Sequence, residues 1–308
     1  LGLKSSSVKA VHSWLFYKTG TGYPSKIGIR GFSSLRLIIA LSRTYIDSSW
    51  RSHIREWADV RIQLKSAEEI GYMREAGRIL AACHREIAKH IKPGVSTLEI
   101  DGRVEDFLKK KGATPEQKGY KGFPYATCAS VNEVVCHGFP DDRPLREGDV
   151  VTIDMVVNKN GWLADSGWTY AVGQVNPAVM KLMKRTHEAL FKGIEQARPG
   201  AAMGNIGHAI QEVAQREGYG IVMSLVGHGI GRQLHEPPDV PSYGTPGRGL
   251  KLKAGMVITI EPVFTLGSSG AVFWGDDGWT ISSADGSIGV QYEHTIAITK
   301  EGPFILTD

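Results

Sequence analysis

The sequence predicts an α/β chain made of two pseudo-symmetric α-α-β halves around antiparallel strands, packed as one domain. Three observations lead there. A pair of helical patterns, separated by a Pro-Gly turn and closed by a glycine, occurs twice: Gly94, Ile100, Val104, Phe107 and Gly112 map onto Gly200, Ile206, Ile210, Val213 and Gly218 with one offset. The run Leu145-x-x-Gly148-x-Val150-x-Thr152-Ile153-Asp154 returns as Leu252-x-x-Gly255-x-Val257-x-Thr259-Ile260-Glu261. At the end of the first copy, residues 148–170 read as a β-hairpin with Asn158 to Gly161 as its turn. Two copies are too few for a solenoid, so they are expected to face each other within one body.

With 308 residues and 42% hydrophobic content the chain has ample material for a core, and no run of 18 apolar residues that would span a membrane as a helix. Residues 1–60 hold nine Lys/Arg against Asp47, Glu56 and Asp59, which more than accounts for the net charge of +4. The remainder is near neutral, so charge gives no reason to expect a nucleic-acid partner. Residues 1–60 are also Ser-rich and free of acid until Asp47. They are expected to be a poorly ordered N-terminal extension ahead of a domain spanning 61–308, with an organellar transit peptide as the alternative. Three cysteines, Cys83, Cys128 and Cys136, make no paired framework and no CxxC. That points to a reducing compartment, read as the cytoplasm, and excludes a Cys-rich zinc module.

In chain order, Ser66 with Glu69 forms a capping box for a helix that keeps apolar spacing through Ile70, Met73, Leu80 and Ile87. Lys92-Pro93-Gly94 ends it, Thr97 is expected to cap the next helix, and Gly112 stops that one. In the second half Asn176-Pro177 starts a helix, Arg198-Pro199-Gly200 ends it, and its successor runs to Gly218. Ile221–Val226 reads as an apolar strand leading into Gly227-His228-Gly229-Ile230-Gly231. Gln291-Tyr292-Glu293-His294-Thr295 reads as alternating strand, where Glu293 and His294 point to opposite faces; Glu293 is assigned to the site and His294 to structure. His84, His90, His187 and His208, each isolated on a helix, are expected to be solvated, and the Cys136 side chain is expected to face away from the site.

The hairpin admits two registers. A turn centred on Lys159 and Asn160 sets Asp154 directly opposite Asp165; an Asn160-Gly161 turn makes them diagonal neighbours on one face. Either way like charges adjoin, which costs stability and invites a cation. The duplication gives Asp154 a counterpart in Glu261, and a pseudo-twofold axis brings the two together. Asp154, Asp165, His228, Glu261 and Glu293 then fit one site. This is more charge than one divalent ion needs, and it suits two metals sharing bridging carboxylates, as in hydrolases that clamp an attacking water. Such an oxygen-rich set favours Mn, Fe or Co as readily as Zn.

Asn132-Glu133-Val134-Val135-Cys136-His137-Gly138-Phe139-Pro140, the Asp154/Asp165 hairpin, the His228 and His235 motif, Thr259-Ile260-Glu261-Pro262 and Tyr292-Glu293-His294-Thr295 occur in that order. Together they resemble type I methionine aminopeptidase over about residues 62–306. The resemblance implies the pita-bread fold, a pair of divalent ions (Co, Mn, Fe or Zn) on Asp154, Asp165, His228, Glu261 and Glu293, and attack by activated water on the first peptide bond. Asp165 and Glu293 would bridge the ions, and Glu261 would be the general base. His235 would meet the scissile carbonyl, and His137 the substrate backbone or leaving nitrogen. Tyr120, Phe123, Cys128 and Trp279 would form the methionine pocket, with His137 at its edge. The substrate implied is the N-terminal methionine of nascent polypeptides with a small second residue, met at the ribosome by a monomeric enzyme with no membrane attachment. Phe123 departs from a family Tyr, and Leu163 stands where some members have His. Prolidase and Xaa-Pro aminopeptidase share the fold and form the alternative specificity; a non-catalytic binding protein of the same fold is the alternative class.

Overall fold

The computed structural model describes residues 62–308; the expectations for residues 1–60 lie outside them. Helix α1 (Ala67–Ile87) begins as its capping box requires: Ser66 Oγ accepts from the Glu69 amide, and the Glu69 carboxylate accepts from the Ser66 amide. It buries the stripe Met73, Ala76, Leu80, Cys83 and Ile87. Helix α2 (Thr97–Lys110) is capped by Ser96 and not by Thr97. Ser96 has the extended backbone a cap needs, and its Oγ accepts from the Glu99 amide at 3.2 Å. The Thr97 hydroxyl instead accepts from the Asp141 amide at 2.8 Å. Helix α3 (Pro177–Gln196) starts with Asn176 Oδ1 on the Ala178 amide, and α4 (Met203–Glu217) closes on Gly218 at φ 75°.

The duplication is repeated bond for bond. The Gly94 amide donates to the Leu145 carbonyl and the Gly200 amide to the Leu252 carbonyl, both at 2.8 Å. The return bonds, Leu145 N–H to Val95 and Leu252 N–H to Ala201, are both 2.9 Å. Gly94 and Gly200 sit at φ 93° and 85°, a left-handed region that costs glycine nothing. Each Pro-Gly turn is thereby pinned to the strand that delivers an acid. Each half has its own apolar core. Leu80, Ile100, Val104, Ile153 and Met155 fill the first; Leu190, Ile206, Ile210, Ile258, Ile260 and Phe264 fill the second.

In the first half, strands Val150–Lys159 and Trp162–Ala171 pair antiparallel with Lys159 opposite Trp162. The turn is therefore Asn160-Gly161, both at positive φ (54° and 77°), as a two-residue hairpin turn demands. Of the two registers this is the diagonal one: Asp154 faces Gly167 and Asp165 faces Val156. Cys128–Val131 pairs on the other edge of Val150–Lys159, with Cys128 opposite Asp154. The second half forms a five-stranded sheet in the order Pro303–Ile305, His294–Ile298, Val257–Ile260, Gly227–Gly229, Glu236–Val240. The expected strand Ile221–Val226 is not one. Only Gly220–Ile221 pairs; the chain then turns, Met223 is exposed, and His228 rides on the short strand Gly227–Gly229. The expected alternating strand around Glu293 is likewise split, into Gly289–Gln291 and His294–Ile298, which belong to different sheets.

The two main sheets meet along a seam of hydroxyl groups. Thr295 Oγ1 accepts from the Asp165 amide at 2.9 Å and donates to the Asp165 carbonyl at 2.8 Å. Ser166 Oγ donates to the Glu293 carbonyl at 3.1 Å, and Thr169 Oγ1 to the Gln291 carbonyl at 2.8 Å. One backbone bond joins them, from the Glu293 amide to the Gly167 carbonyl at 2.8 Å.

Gly77 lies on the buried face of α1, where an added Cβ would come within 2.0 Å of the Leu306 carbonyl oxygen; Gly71 of the same helix faces open space. Gly77→Ala is expected to destabilise the protein by about 1–3 kcal/mol through overpacking. Gly71→Ala should stabilise it by about 0.5–1 kcal/mol through helix propensity. Urea midpoints of the two variants check this, and equal shifts would contradict the packing of α1 on the C-terminal segment.

Candidate metal centre

Asp154 and Asp165 come from the two hairpin strands, His228 from Gly227–Gly229, Glu261 from the end of Val257–Ile260, and Glu293 from the seam. All five line one cavity. Ligand atoms of Asp165, His228 and Glu293 lie within 4.8 Å of one another. His228 Nδ1–H donates to the Gly229 carbonyl at 2.9 Å, which leaves Nε2 facing the acids, 3.7 Å from Asp165 Oδ2 and 3.8 Å from Glu261 Oε1. Burial lowers the His228 pKa, so this nitrogen keeps its lone pair. Thr259 Oγ1 ties the half-site together: it accepts from the His228 amide at 2.9 Å and donates to Glu261 Oε1 at 2.8 Å. Gly167, opposite Asp154, keeps the space clear; a Cβ there would lie 3.2 Å from Gln291 and 3.3 Å from Glu293 Oε2.

Burial sets the electrostatics. It pushes Asp154 up to about 6. Burial with the Asp154 charge pushes Glu261 up to about 8, and burial with neighbouring acids drives Asp165 and Glu293 well above the carboxylate range. Asp165 Oδ1 and Glu293 Oε1 are buried with no hydrogen-bond partner. Polar atoms are rarely orphaned in this way without a ligand, and mutually repelling oxygens around a free imidazole nitrogen suit a divalent cation. The residues present therefore fit a metal.

Above the acids the cavity, about 320 Å³, is walled by Tyr120, Phe123, Cys128, His137, His235 and Trp279. Phe123 meets Trp279 edge-on at 5.0 Å and Phe139 at 5.3 Å. His235 Nδ1 is 3.0 Å from the Tyr120 hydroxyl, and burial lowers its pKa to about 3. A neutral imidazole accepting from Tyr120 keeps its Nε2–H as a donor. His137, held at φ 53°, packs 6.0 Å from Trp279, and burial lowers its pKa too.

Several expectations are corrected. Cys136 does not turn away: it lines the cavity, and burial together with Asp154, Glu261 and Glu293 raises its pKa. His84 is not solvated. Its Nε2–H donates to the Ser166 carbonyl at 3.1 Å and its Nδ1 takes the Tyr170 hydroxyl at 2.7 Å, bracing the strand beside Asp165. His187 is half-buried against Trp168 and Phe191. His294, by contrast, is structural as expected, with Nδ1 2.8 Å from Thr307 Oγ1 and no place in the cavity lining. Sequence reasoning missed Gln117 and Leu234, which also line the cavity. Gln117 Oε1 accepts from the Val156 amide at 2.6 Å and its Nε2 donates to the Asp154 carbonyl at 3.2 Å. No local pattern marks a lone Gln in a loop as a strand clamp.

The family model described as metallopeptidase family M24 matches residues 71–300. Methionine aminopeptidase 1 of Bacillus subtilis is 48% identical over 243 residues, covering 79% of this chain and 98% of its own. The crystal structure of methionine aminopeptidase from Rickettsia prowazekii superposes with a TM-score of 0.79 at 41% identity, over 80% of this chain and 100% of its own. Prolidase from Pyrococcus furiosus superposes with a TM-score of 0.65 at 27% identity, over 80% of this chain and 65% of its own.

Raised carboxylate values make metal affinity and stability depend on pH together. In the metal-free fold Asp154 and Glu261 hold protons up to about 6 and about 8, which an unfolded chain releases near pH 4. Their contribution to metal-free stability is thus complete at low pH and lost as pH rises through those values. Metal replaces the protons, so the rise in Tm on adding metal should be larger at pH 8 than at pH 6, with protons released on binding. Melting curves with and without chelator, and calorimetry in two buffers, measure this. Asp165→Asn or Glu293→Gln is expected to lower bound metal per chain, read by elemental analysis.

Proposed function

The chain belongs to metallopeptidase family M24, and from that premise we propose that it removes the amino-terminal methionine from polypeptides whose second residue is small. What supports this reading is one observation: a metal-fitting group, Asp165, His228 and Glu293, at the floor of an aromatic and thiol-lined slot. Methionine is long, unbranched and polarisable, and such a slot suits its thioether.

In this reading Asp154, Asp165, His228, Glu261 and Glu293 would hold two divalent ions. Ions held there would acidify water and polarise the scissile carbonyl. Glu261 Oε1 is occupied by the Thr259 hydroxyl, so its other oxygen is the one that takes the proton from the attacking water. His235 donates Nε2–H to the carbonyl as charge develops on its oxygen, and Tyr120 fixes the tautomer. His137 stands at the pocket edge for the leaving nitrogen. Tyr120, Phe123, Cys128 and Trp279 grip the side chain, joined by Gln117 and Leu234. An oxygen-rich set with one imidazole leaves Mn, Fe and Co as suitable as Zn.

The rest of the reading is coarser. Substrates are nascent chains met at the ribosome, and the enzyme works as a monomer. The free, buried Cys83, Cys128 and Cys136 support a reducing compartment, the cytoplasm. No helix among the described residues is long and apolar enough to cross a membrane. The catalytic domain spans residues 61–308.

A panel of Xaa-Ala-Ser peptides assayed with Mn or Co tests the specificity. Met is expected to be cut fastest and Leu slowly, because shape in an apolar pocket discriminates by only about 1–3 kcal/mol. Lys, Arg, Asp and Glu should be cut far more slowly than Met, since the walls made by Tyr120, Phe123, Cys128 and Trp279 offer a charged side chain no partner. Preference for Xaa-Pro bonds whatever the first residue would place the chain with prolidases; no cleavage with any divalent metal would favour the non-catalytic reading. A chain starting near Ala58 is expected to keep kcat/KM within about tenfold of the full chain, roughly 1.4 kcal/mol.

A further inference from the structure

Lys65 and Glu236 form a buried ion pair, each side chain 5% exposed. Glu236 does more than pair. While its Oε2 takes the Lys65 ammonium, its Oε1 accepts from the amides of Arg232 at 2.9 Å and Gln233 at 3.2 Å. Residues 231–235 have no regular structure, and His235 immediately precedes Glu236. One carboxylate therefore closes the loop back onto itself, with His235 inside the ring.

The loop is anchored to two distant parts of the chain. The Leu163 amide donates to the Gly231 carbonyl at 3.0 Å, and the Arg232 guanidinium lies 4.0 Å over the Trp162 ring. Lys65 comes from the segment ahead of α1, which is itself fixed: its amide donates to the Gly255 carbonyl at 2.7 Å, and its Nζ also donates to the Gln63 carbonyl at 3.2 Å. The lysine stem passes directly over Gly231, where a Cβ would meet Lys65 Cε at 2.5 Å and Glu236 Oε1 at 2.7 Å. A path kept open by a glycine for a buried lysine is an arrangement specific to this pair.

We infer that Lys65, acting through Glu236, is a positioning residue for His235, holding its imidazole on the Tyr120 hydroxyl and 4.3 Å from the His228 ring. Without the ammonium, Glu236 is a buried carboxylate lacking its counter-charge. It then draws the loop toward water, and its grip on the Arg232 and Gln233 amides weakens. His235 moves with them, whereas Asp165, His228 and Glu293, held by the seam and by Thr259, do not. The catalytic consequence rests on the proposed role of His235.

The test compares wild type, Lys65→Met and Lys65→Arg. In metal-free protein, hydrogen exchange of the Arg232 and Gln233 amides should speed up at least about tenfold in Lys65→Met, with α2 amides unchanged. With Mn bound, kcat on Met-Ala-Ser should fall about tenfold or more while KM and bound metal change less than about twofold. Lys65→Arg, which restores a cation, should recover both. If Lys65→Met does not fold, Lys65→Met/Glu236→Leu buries no lone charge, and the same changes are expected because the loop amides lose their acceptor. Unchanged exchange at residues 232 and 233, or faster exchange spread evenly over the protein, overturns the inference. If wild type cleaves no methionyl peptide, the proposed function fails, while exchange and the His235 imidazole resonances still decide the positioning.

Discussion

Four carboxylates crowded beside one another, Asp165 and Glu293 buried and Asp154 and Glu261 half-buried, are the constraint on which the rest of the structure depends. All four line one cavity, and like charges so placed repel strongly. Proteins relieve such crowding by protonation or by a cation. The fold leaves both routes open, with Glu261 pushed up to about 8, Glu293 raised well above its ordinary value, and two oxygens lacking any partner. An imidazole with its lone pair turned to the same point completes a set that a divalent ion satisfies better than protons do. The cost of assembling the acids is therefore offset by what they bind, and the surrounding scaffold serves to hold them in place.

That scaffold works by doubling. Each half delivers an acid at the equivalent sequence position, and the segment leading into each strand is pinned to a Pro-Gly turn by the same pair of backbone bonds. The halves differ where they meet. A continuous backbone ladder would place side chains strictly alternately, but the seam uses the hydroxyls of Ser166, Thr169 and Thr295 to bond backbone groups across it. This frees Glu293 from ladder geometry while its own amide remains bonded to Gly167. The glycine then supplies the room the carboxylates need.

The upper part of the cavity follows a different logic, in which loops are made rigid by capture of their ends. His235 lies on an irregular segment, and irregular segments are usually the least stable parts of a fold. Here an ion pair, a stacked guanidinium and a hydroxyl converge on the loop from the N-terminal segment, the hairpin tip and the Tyr120 turn. The aromatic cluster of Phe123, Phe139 and Trp279 does the same for the opposite wall. A slot for a flexible side chain is thus built from residues that cannot themselves move far.

Much of this was legible in the chain before any coordinate. Caps, Pro-Gly stops and apolar spacing are local codes, read within four or five residues, and they located all of α1 to α4, although α1 ends at Ile87, ahead of its Lys92-Pro93-Gly94 stop. The repeated motif located Asp154 and Glu261 because a duplication carries position without needing geometry. Tertiary structure alone decided the remainder. It selected the diagonal hairpin register, because only the Asn160-Gly161 turn lets both residues take positive φ where Asn and Gly tolerate it. It turned Cys136 inward, buried His84 against Ser166, set Gln117 across Asp154 and Val156, and matched Lys65 with Glu236. Each of these is a pairing of single polar groups far apart in sequence. No periodicity announces such a pair, since a hydrogen bond or buried charge finds its partner only after the apolar faces have packed and brought the two ends together.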